Sequence, residues 1–161
     1  MAGVWLLWLL LVAVLDFRQR RVPNGVVLFG AAIALLTLVW GLQPFQVAWP
    51  QALAGAALGS GFLLIFYATR MMGAGDVKFA GALGLWVGFE PLLPIWLIAS
   101  LLAGLHAVLW LVLQRWPVWP RLALALSGSA IGKTGKLRGG KHIPFAAYLA
   151  IASLGWMVSV R

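Results

Sequence analysis

The feature that most constrains this chain is a series of long apolar runs separated by short gaps that contain basic residues or proline. The first run, residues 1–15, has no charged residue at all. Over all 161 residues, 63% are hydrophobic, only 9% are charged, and the mean hydropathy is +1.00. Soluble domains carry about 25% charged residues. The pattern therefore predicts an all-α, polytopic membrane protein that forms one transmembrane domain over residues 1–161.

Six apolar segments are expected to form a bundle of about six transmembrane helices. The first is expected to continue through Asp16 to Gln19, because residues 1–15 would reach only about 22 Å into an apolar layer of about 30 Å. Pro23 ends this helix, and Asn24 is suited to cap the next one. The third segment is rich in glycine and alanine, which favours close helix packing. The segments are 1–19, 26–42, 52–69, 76–89, 94–113 and 143–160. 

Residues 122–131 are also apolar, but they are too few to cross a membrane. They lie within the longest predicted loop, which is rich in basic residues. We expect them to lie at the membrane interface or to be partly re-entrant.

The distribution of basic residues orients the bundle. Eleven of the twelve Lys and Arg residues fall on the side where the first helix ends, and only Arg161 falls on the other. Because Lys and Arg concentrate in cytoplasmic loops, this side is expected to be cytoplasmic. Asp16 and Asp76 then lie at the cytoplasmic end, and Glu90 lies opposite. The net charge of +9 is attributed to orientation and to contact with anionic lipids, not to nucleic acid.

Asp16 and Asp76 are the candidate catalytic residues, because two carboxylates at one depth on different helices can activate water against an amide. One ionised carboxylate takes a proton from water, while the other, protonated, donates to the carbonyl oxygen. Like charges held close do not both ionise readily, so the pair is expected to share one proton. This chemistry needs no metal and no cofactor, and the absence of cysteine excludes thiolate nucleophiles and cysteine zinc sites.

Neighbouring residues are assigned supporting roles. Gly73 and Gly75 are expected to give the backbone a positive φ and to let a substrate strand approach closely. Lys78 lies two residues beyond Asp76 and so faces another side of its helix, where we expect contact with lipid. His106 is expected to be hydrogen-bonded within the core and not to bind a metal. His142 is assigned no role.

Each aspartate also has a simpler interpretation. Asp76 suits a cap at the start of the fourth helix, where the helix dipole favours an acid. Asp16 suits the basic loop that follows it, paired with Arg20. Both interpretations stay open at the level of the residues alone.

Three short motifs occur in a characteristic order. An aspartate is followed by Arg-Val-Pro-Asn, a Gly-Ala-Gly-Asp-Val-Lys segment comes next, and Ile-Pro-Phe-Ala opens the last helix. This combination resembles the prepilin peptidases and the archaeal preflagellin peptidases, which are membrane aspartic proteases of the G-x-G-D type. Ala146 stands where that family commonly has glycine. The resemblance rests on Asp16, Arg21, Pro23, Asn24, Gly73, Gly75, Asp76, Lys78 and Pro144.

The resemblance implies an aspartic endopeptidase in the cytoplasmic membrane of a prokaryote. Its substrate would be the precursor of a type IV or Tad pilin, and it would remove a short basic leader at the cytoplasmic face. Larger members also carry a methyltransferase portion with paired cysteines. Because this sequence has no cysteine, we expect a peptidase-only member.

Two other functions fit the same residues. A small proton-coupled transporter would use the acids as a relay. Inverted repeats, its usual mark, are not expected, because Asp16 ends its segment whereas Asp76 begins its own. A non-catalytic subunit of a secretion machine would not need either acid for chemistry.

Overall fold

The computed structural model describes residues 2–19, 22–115, 130–131, 137–138 and 144–159. Six helices form nearly all of this part of the chain, and their limits lie within three residues of the predicted segments. One short antiparallel strand pair is also present, with Ala130 opposite Arg138. The elements are α1 (Ala2–Gln19), α2 (Asn24–Val39), α3 (Trp49–Ala68), α4 (Ala74–Val87), α5 (Leu92–Arg115), β1 (Ala130–Ile131), β2 (Leu137–Arg138) and α6 (Phe145–Ser159).

The outer surface of the helices is apolar. In α5, Leu101 is 73% exposed and Leu105 is 67% exposed. By length and composition, α1, α3 and the Leu92–Val112 part of α5 could each cross a membrane, while α2 and α6 are apolar but shorter. Apolar patches of this extent are rare on soluble proteins and suit a lipid environment. The prediction of an all-α membrane protein is confirmed.

The second helix ends three residues before the predicted limit, and the reason is local. Gly41 has φ +64, a left-handed conformation that stops the helix. Its N–H donates to Leu38 O at 3.3 Å, and the N–H of Leu42 donates to Thr37 O at 2.8 Å. These two bonds form a Schellman motif, which closes the helix after Val39.

The apolar segment predicted at the membrane interface is mostly untested. Its residues 122–129 lie outside the described residues, and Ala130 and Ile131 form β1. The two strand residues are therefore not part of a helix.

The core is centred on α4, which packs most extensively against α3. Glycines bring the two helices together. A methyl group added to Gly55 would lie 2.5 Å from the carbonyl oxygen of Gly84, and one added to Gly59 would lie 2.5 Å from that of Ala80. Backbones this close leave no room for any side chain. The predicted close packing of the third helix is confirmed.

The last helix, α6, contacts α1, α4 and α5. The end of α1 carries one predicted catalytic residue, and the start of α4 carries the other. Because α6 packs against both helices, its first turn can contact both residues.

Candidate active site

Asp16 lies in the last turn of α1 and is buried, with 4% of its surface exposed. This is an unfavourable place for an acid, because the C-terminal end of a helix carries partial negative charge. The compensation comes from another helix. Asp16 Oδ2 accepts a hydrogen bond from the backbone N–H of Ala147 at 2.9 Å.

Asp76 is the third residue of α4, one turn after the N-cap residue Gly73. The positive end of the helix dipole favours an acid at this position, as the simpler interpretation of Asp76 expects. Asp76 also reaches outside its own helix. Its Oδ1 accepts a hydrogen bond from the backbone N–H of Ala146 at 3.1 Å. The favourable position at the start of α4 and the contact with α6 therefore coexist.

The two carboxylates converge on consecutive amides of one helical turn. Ala146 and Ala147 lie in the first turn of α6, where backbone N–H groups have no partner within the helix. The same turn carries the positive end of the helix dipole. Consecutive residues are about 3.8 Å apart, so the two accepting oxygens lie within about 10 Å of each other. The charges of Asp16 and Asp76 repel each other at this separation.

Pro144 restricts the backbone at the start of this turn. It is fully buried and directly precedes α6, and its carbonyl oxygen accepts the first bond of the helix, from Tyr148 N at 3.4 Å. A proline at the start of a helix has a suitable fixed φ and no N–H to leave without a partner. The structure thus places Pro144 directly before the turn that binds both carboxylates, and the motif opens the last helix as predicted.

The expectation of positive φ at Gly73 and Gly75 is wrong. Gly73 has φ −79 and ψ 147 as the N-cap, and Gly75 lies inside α4; among the described glycines the left-handed ones are Gly41 and Gly88. A methyl group on Gly73 would lie 3.4 Å from Asp76 Oδ2. A side chain at Gly73 would therefore touch the carboxylate, and the approach of a substrate strand stays a prediction.

The predicted cap by Asn24 is also wrong. Pro23 occupies the N-cap position of α2, no side chain caps this helix, and Asn24 is its first residue. The side chain of Asn24 faces α4 instead, and its Oδ1 accepts a hydrogen bond from Lys78 Nζ at 3.0 Å. Both residues are exposed. Lys78 therefore links the second motif to the first, which its spacing in the sequence does not reveal. Arg21, the remaining motif residue, lies outside the described residues.

Glu90, the third acid, is exposed in the turn between α4 and α5. Asp76 and Glu90 lie at opposite ends of the 14-residue helix α4, which is about 21 Å long. Glu90 instead lines a cavity of about 420 Å³ with Phe45 and Trp156. It does not join the aspartate pair, as predicted.

The structure tests the prediction for one of the two histidines. Tyr148 Oη and His106 Nδ1 are hydrogen-bonded at 2.5 Å, which confirms the expected hydrogen-bonded role of His106. His142 lies outside the described residues. Within the described ranges, no group of three or more His, Asp or Glu residues is placed to hold a metal ion.

The arrangement suits acid–base chemistry on a water molecule. Two carboxylates from different helices meet at a turn whose N–H groups stabilise negative charge. Repulsion between the two charges favours a state in which the pair holds one proton. Such a pair contains both a base for water and an acid for a carbonyl oxygen.

Comparisons with known proteins point the same way. The sequence model of the type IV leader peptidase family matches residues 3–108, which include both aspartates. Similar proteins include prepilin leader peptidase/N-methyltransferases from three bacteria. That of Xanthomonas campestris is 31% identical over 151 residues, which cover 89% of this chain and 44% of the relative. That of Dickeya chrysanthemi is 33% identical over 133 residues, 73% of this chain and 44% of the relative.

The third relative, from Escherichia coli, is 32% identical over 115 residues, which cover 67% of this chain and 50% of the relative. The chain thus spans about half the length of the curated relatives it matches. No solved structure matches it significantly.

Proposed function

The chain belongs to the type IV leader peptidase family, and on this premise we propose that it is a membrane aspartic endopeptidase that removes the leader peptide from prepilin-like precursors. The observation that carries the proposal is the convergence of Asp16 and Asp76 on consecutive amides of α6. The relatives are also named N-methyltransferases. The aspartate pair supports the peptidase reaction alone, and methyl transfer is not part of the proposal.

The reaction begins with a water molecule between the two carboxyl groups. The ionised carboxylate takes a proton from this water, and the water oxygen bonds to the carbonyl carbon of the scissile peptide bond. The protonated carboxyl donates its proton to the carbonyl oxygen. The C–N bond of the tetrahedral intermediate then breaks, and the leaving amine takes a proton from the pair. One hydroxyl of the intermediate returns its proton to the pair as the carbonyl of the product acid re-forms, so the pair again holds one proton. No covalent bond to the protein is formed at any step.

The α6 amides keep the pair in its working state. The N–H groups of Ala146 and Ala147 each donate to one carboxylate, and they stabilise negative charge there. Gly73 places no side chain against Asp76, and in this proposal an extended substrate backbone reaches the carboxylates on that side. The helices thus provide the acid, the base and an open approach.

The site is proposed to lie at the cytoplasmic face of a multi-pass protein in the cytoplasmic membrane of a prokaryote. Arg18 follows Asp16 in the last turn of α1, Arg70 lies just after the end of α3, and Lys78 lies two residues beyond Asp76. Basic residues of this kind mark the cytoplasmic side and contact anionic lipids. A precursor with a basic leader before an apolar helix would present the junction between the two at this depth.

The proposal is tested with the purified protein in liposomes and a synthetic prepilin peptide that contains the leader and the start of the apolar helix. Asp16→Asn and Asp76→Asn are each expected to lower the cleavage rate at least about 1,000-fold. Glu90→Gln is the matched control, because it makes the same change in the one other acid, and it should cleave normally. A chelator should not change the rate.

Cleavage that persists in both asparagine variants would overturn the proposal. Substrate or proton flux without any peptide cleavage would indicate a transporter. Normal piliation in cells that carry both substitutions would indicate a non-catalytic subunit.

A further inference from the structure

A polar pair crosses the interface between α5 and α6. Tyr148 Oη and His106 Nδ1 lie 2.5 Å apart, and their rings meet edge to face with centroids 5.8 Å apart. Tyr148 is nearly buried, with 9% of its surface exposed, and His106 is half-buried. His106 is the one ionisable side chain in the Leu92–Val112 part of α5.

Tyr148 also lies next to the aspartate site on two sides. In the chain it directly follows Ala147, whose N–H binds Asp16. In space its ring stands edge-on to Phe17, with centroids 5.9 Å apart and an interplanar angle of 85°. Phe17 directly follows Asp16. One side chain therefore joins the first turn of α6 to the end of α1 and to α5.

Apolar packing alone does not require this pair. A hydroxyl and an imidazole are costly to place within an apolar bundle, whereas phenylalanine and leucine would fill similar space at no such cost. Hydrogen bonds, unlike apolar contacts, are directional. The bond between Tyr148 and His106 therefore sets the rotation of α6 about its axis more sharply than apolar contacts do.

We propose that Tyr148, held by His106, is a positioning residue for the two-aspartate site. It fixes the first turn of α6 so that the N–H of Ala146 points to Asp76 and the N–H of Ala147 points to Asp16. Without the hydroxyl, the turn rotates and the two carboxylates lose their common support. The inference rests on the proposed peptidase function for its kinetic consequence, but its structural consequence does not depend on that function.

Tyr148→Phe is the central variant, because it removes one oxygen and keeps the ring against Phe17. Its kcat is expected to fall about tenfold, with KM for the precursor unchanged, because the binding surface is intact while the pair is misaligned. Tyr67→Phe is the matched control. Tyr67 is the other tyrosine of the chain and is 46% exposed on α3, so its variant should behave as the wild type.

Variants of His106 separate positioning from packing. His106→Leu removes the hydrogen bond and should lower kcat as much as Tyr148→Phe. His106→Asn places an amide near the position of Nδ1 and should restore most of the rate. The double variant Tyr148→Phe/His106→Leu should be no slower than either single variant, because both remove the same bond.

A spectroscopic measurement tests the inference without any substrate. Asp16 and Asp76 are the only aspartates in the sequence, so labelling aspartate with ¹³C at Cγ gives two carboxyl signals. Tyr148→Phe is expected to shift both signals, and Tyr67→Phe neither. Unshifted signals in Tyr148→Phe, or a rise in KM at constant kcat, would overturn the positioning role. Shifted signals in a protein that cleaves nothing would keep it and would overturn the peptidase proposal instead.

Discussion

The last turn of α1 and the first turn of α4 each present one aspartate, but in opposite electrostatic settings. Asp76 lies in the first turn of α4, where a helix favours an acid. Asp16 lies where a helix disfavours an acid, and it is the more deeply buried of the two. Asp76 would be a reasonable residue in a protein without chemistry. Asp16 is stabilised by another helix, and it is therefore the stronger sign of function.

The difference between the two helix ends also explains the role of α6 in the site. In its first turn, the N–H of Ala146 donates to Asp76, which is well placed, and the N–H of Ala147 donates to Asp16, which is not. Two unequal helix ends are thereby brought to one site. We therefore expect the two aspartates to be equal in chemistry and unequal in their effect on stability.

The largest effect is expected from removing both carboxylates. Each single variant is expected to lower the cleavage rate at least about 1,000-fold. If Asp16 and Asp76 act as one unit, the double variant Asp16→Asn/Asp76→Asn should cleave no more slowly than either single variant. The measurement is the single-turnover rate with a prepilin peptide. A double variant whose loss is the product of the two single losses would show that the aspartates act independently.

The next effect concerns the amides of α6. Replacing Ala147 by its α-hydroxy acid turns the amide into an ester and removes the N–H that binds Asp16. Because hydrogen bonds to charged groups are strong, the rate should fall about 10- to 100-fold. The same change at Ala146 should have a smaller effect, since the start of α4 still favours the charge on Asp76.

The matched control for these esters is Ala152, a buried residue further along α6. An ester there weakens the helix without touching the carboxylates. Equal losses at Ala147 and Ala152 would mean that the amides act only through helix stability.

A smaller effect is expected on stability. Asp76→Asn removes a charge that the start of α4 favours, whereas Asp16→Asn removes one that the end of α1 disfavours. The Asp16 variant should therefore be the more stable of the two, by about 1 kcal/mol. Chemical unfolding in detergent micelles measures the difference. Equal stabilities, or the reverse order, would contradict the contrast drawn between the two helix ends.

The smallest effect is expected from the exposed hydrogen bond between Lys78 and Asn24, which joins the second motif to the first. Asn24→Ala removes the acceptor for Lys78 Nζ, and exposed polar contacts of this kind contribute about 0.5 kcal/mol. We expect a rate change of less than about threefold. A loss as large as that of the aspartate variants would place Lys78 in the reaction itself.

Much of the fold follows from the sequence because membrane helices are defined by long apolar runs. The six helices appear at the predicted places, and the small residues of α3 pack closely against α4, as expected. The early end of α2 depends on the left-handed Gly41. Glycine alone does not specify which φ it adopts, so this limit was not predictable.

The two acids of the site could be predicted from the sequence, whereas the groups that hold them in place could not. Asp16 and Asp76 are two of only three acids in a basic, apolar chain, so composition alone singles them out. The observed supports are the backbone amides of Ala146 and Ala147, and no sequence motif identifies which amides will bind the acids. Ala147 lies 131 residues from Asp16, and such a contact arises from packing between helices.

The wrong predictions have a common cause. The predicted roles of Asn24 and Gly73 rest on the conformational preferences of asparagine and glycine near helix ends. In the structure Pro23 takes the N-cap of α2, which frees Asn24 to bind Lys78. Gly73 takes an ordinary extended conformation before α4. Local preference was overridden by contacts between helices in the first case and was not needed in the second.

The most direct test of the central claim is the intact mass of a prepilin precursor co-expressed with this protein. The account predicts that the wild type and Glu90→Gln remove the leader, and that Asp16→Asn and Asp76→Asn leave the precursor at full length. A precursor that loses its leader at the same position in the presence of either asparagine variant, in cells without another leader peptidase, would contradict it.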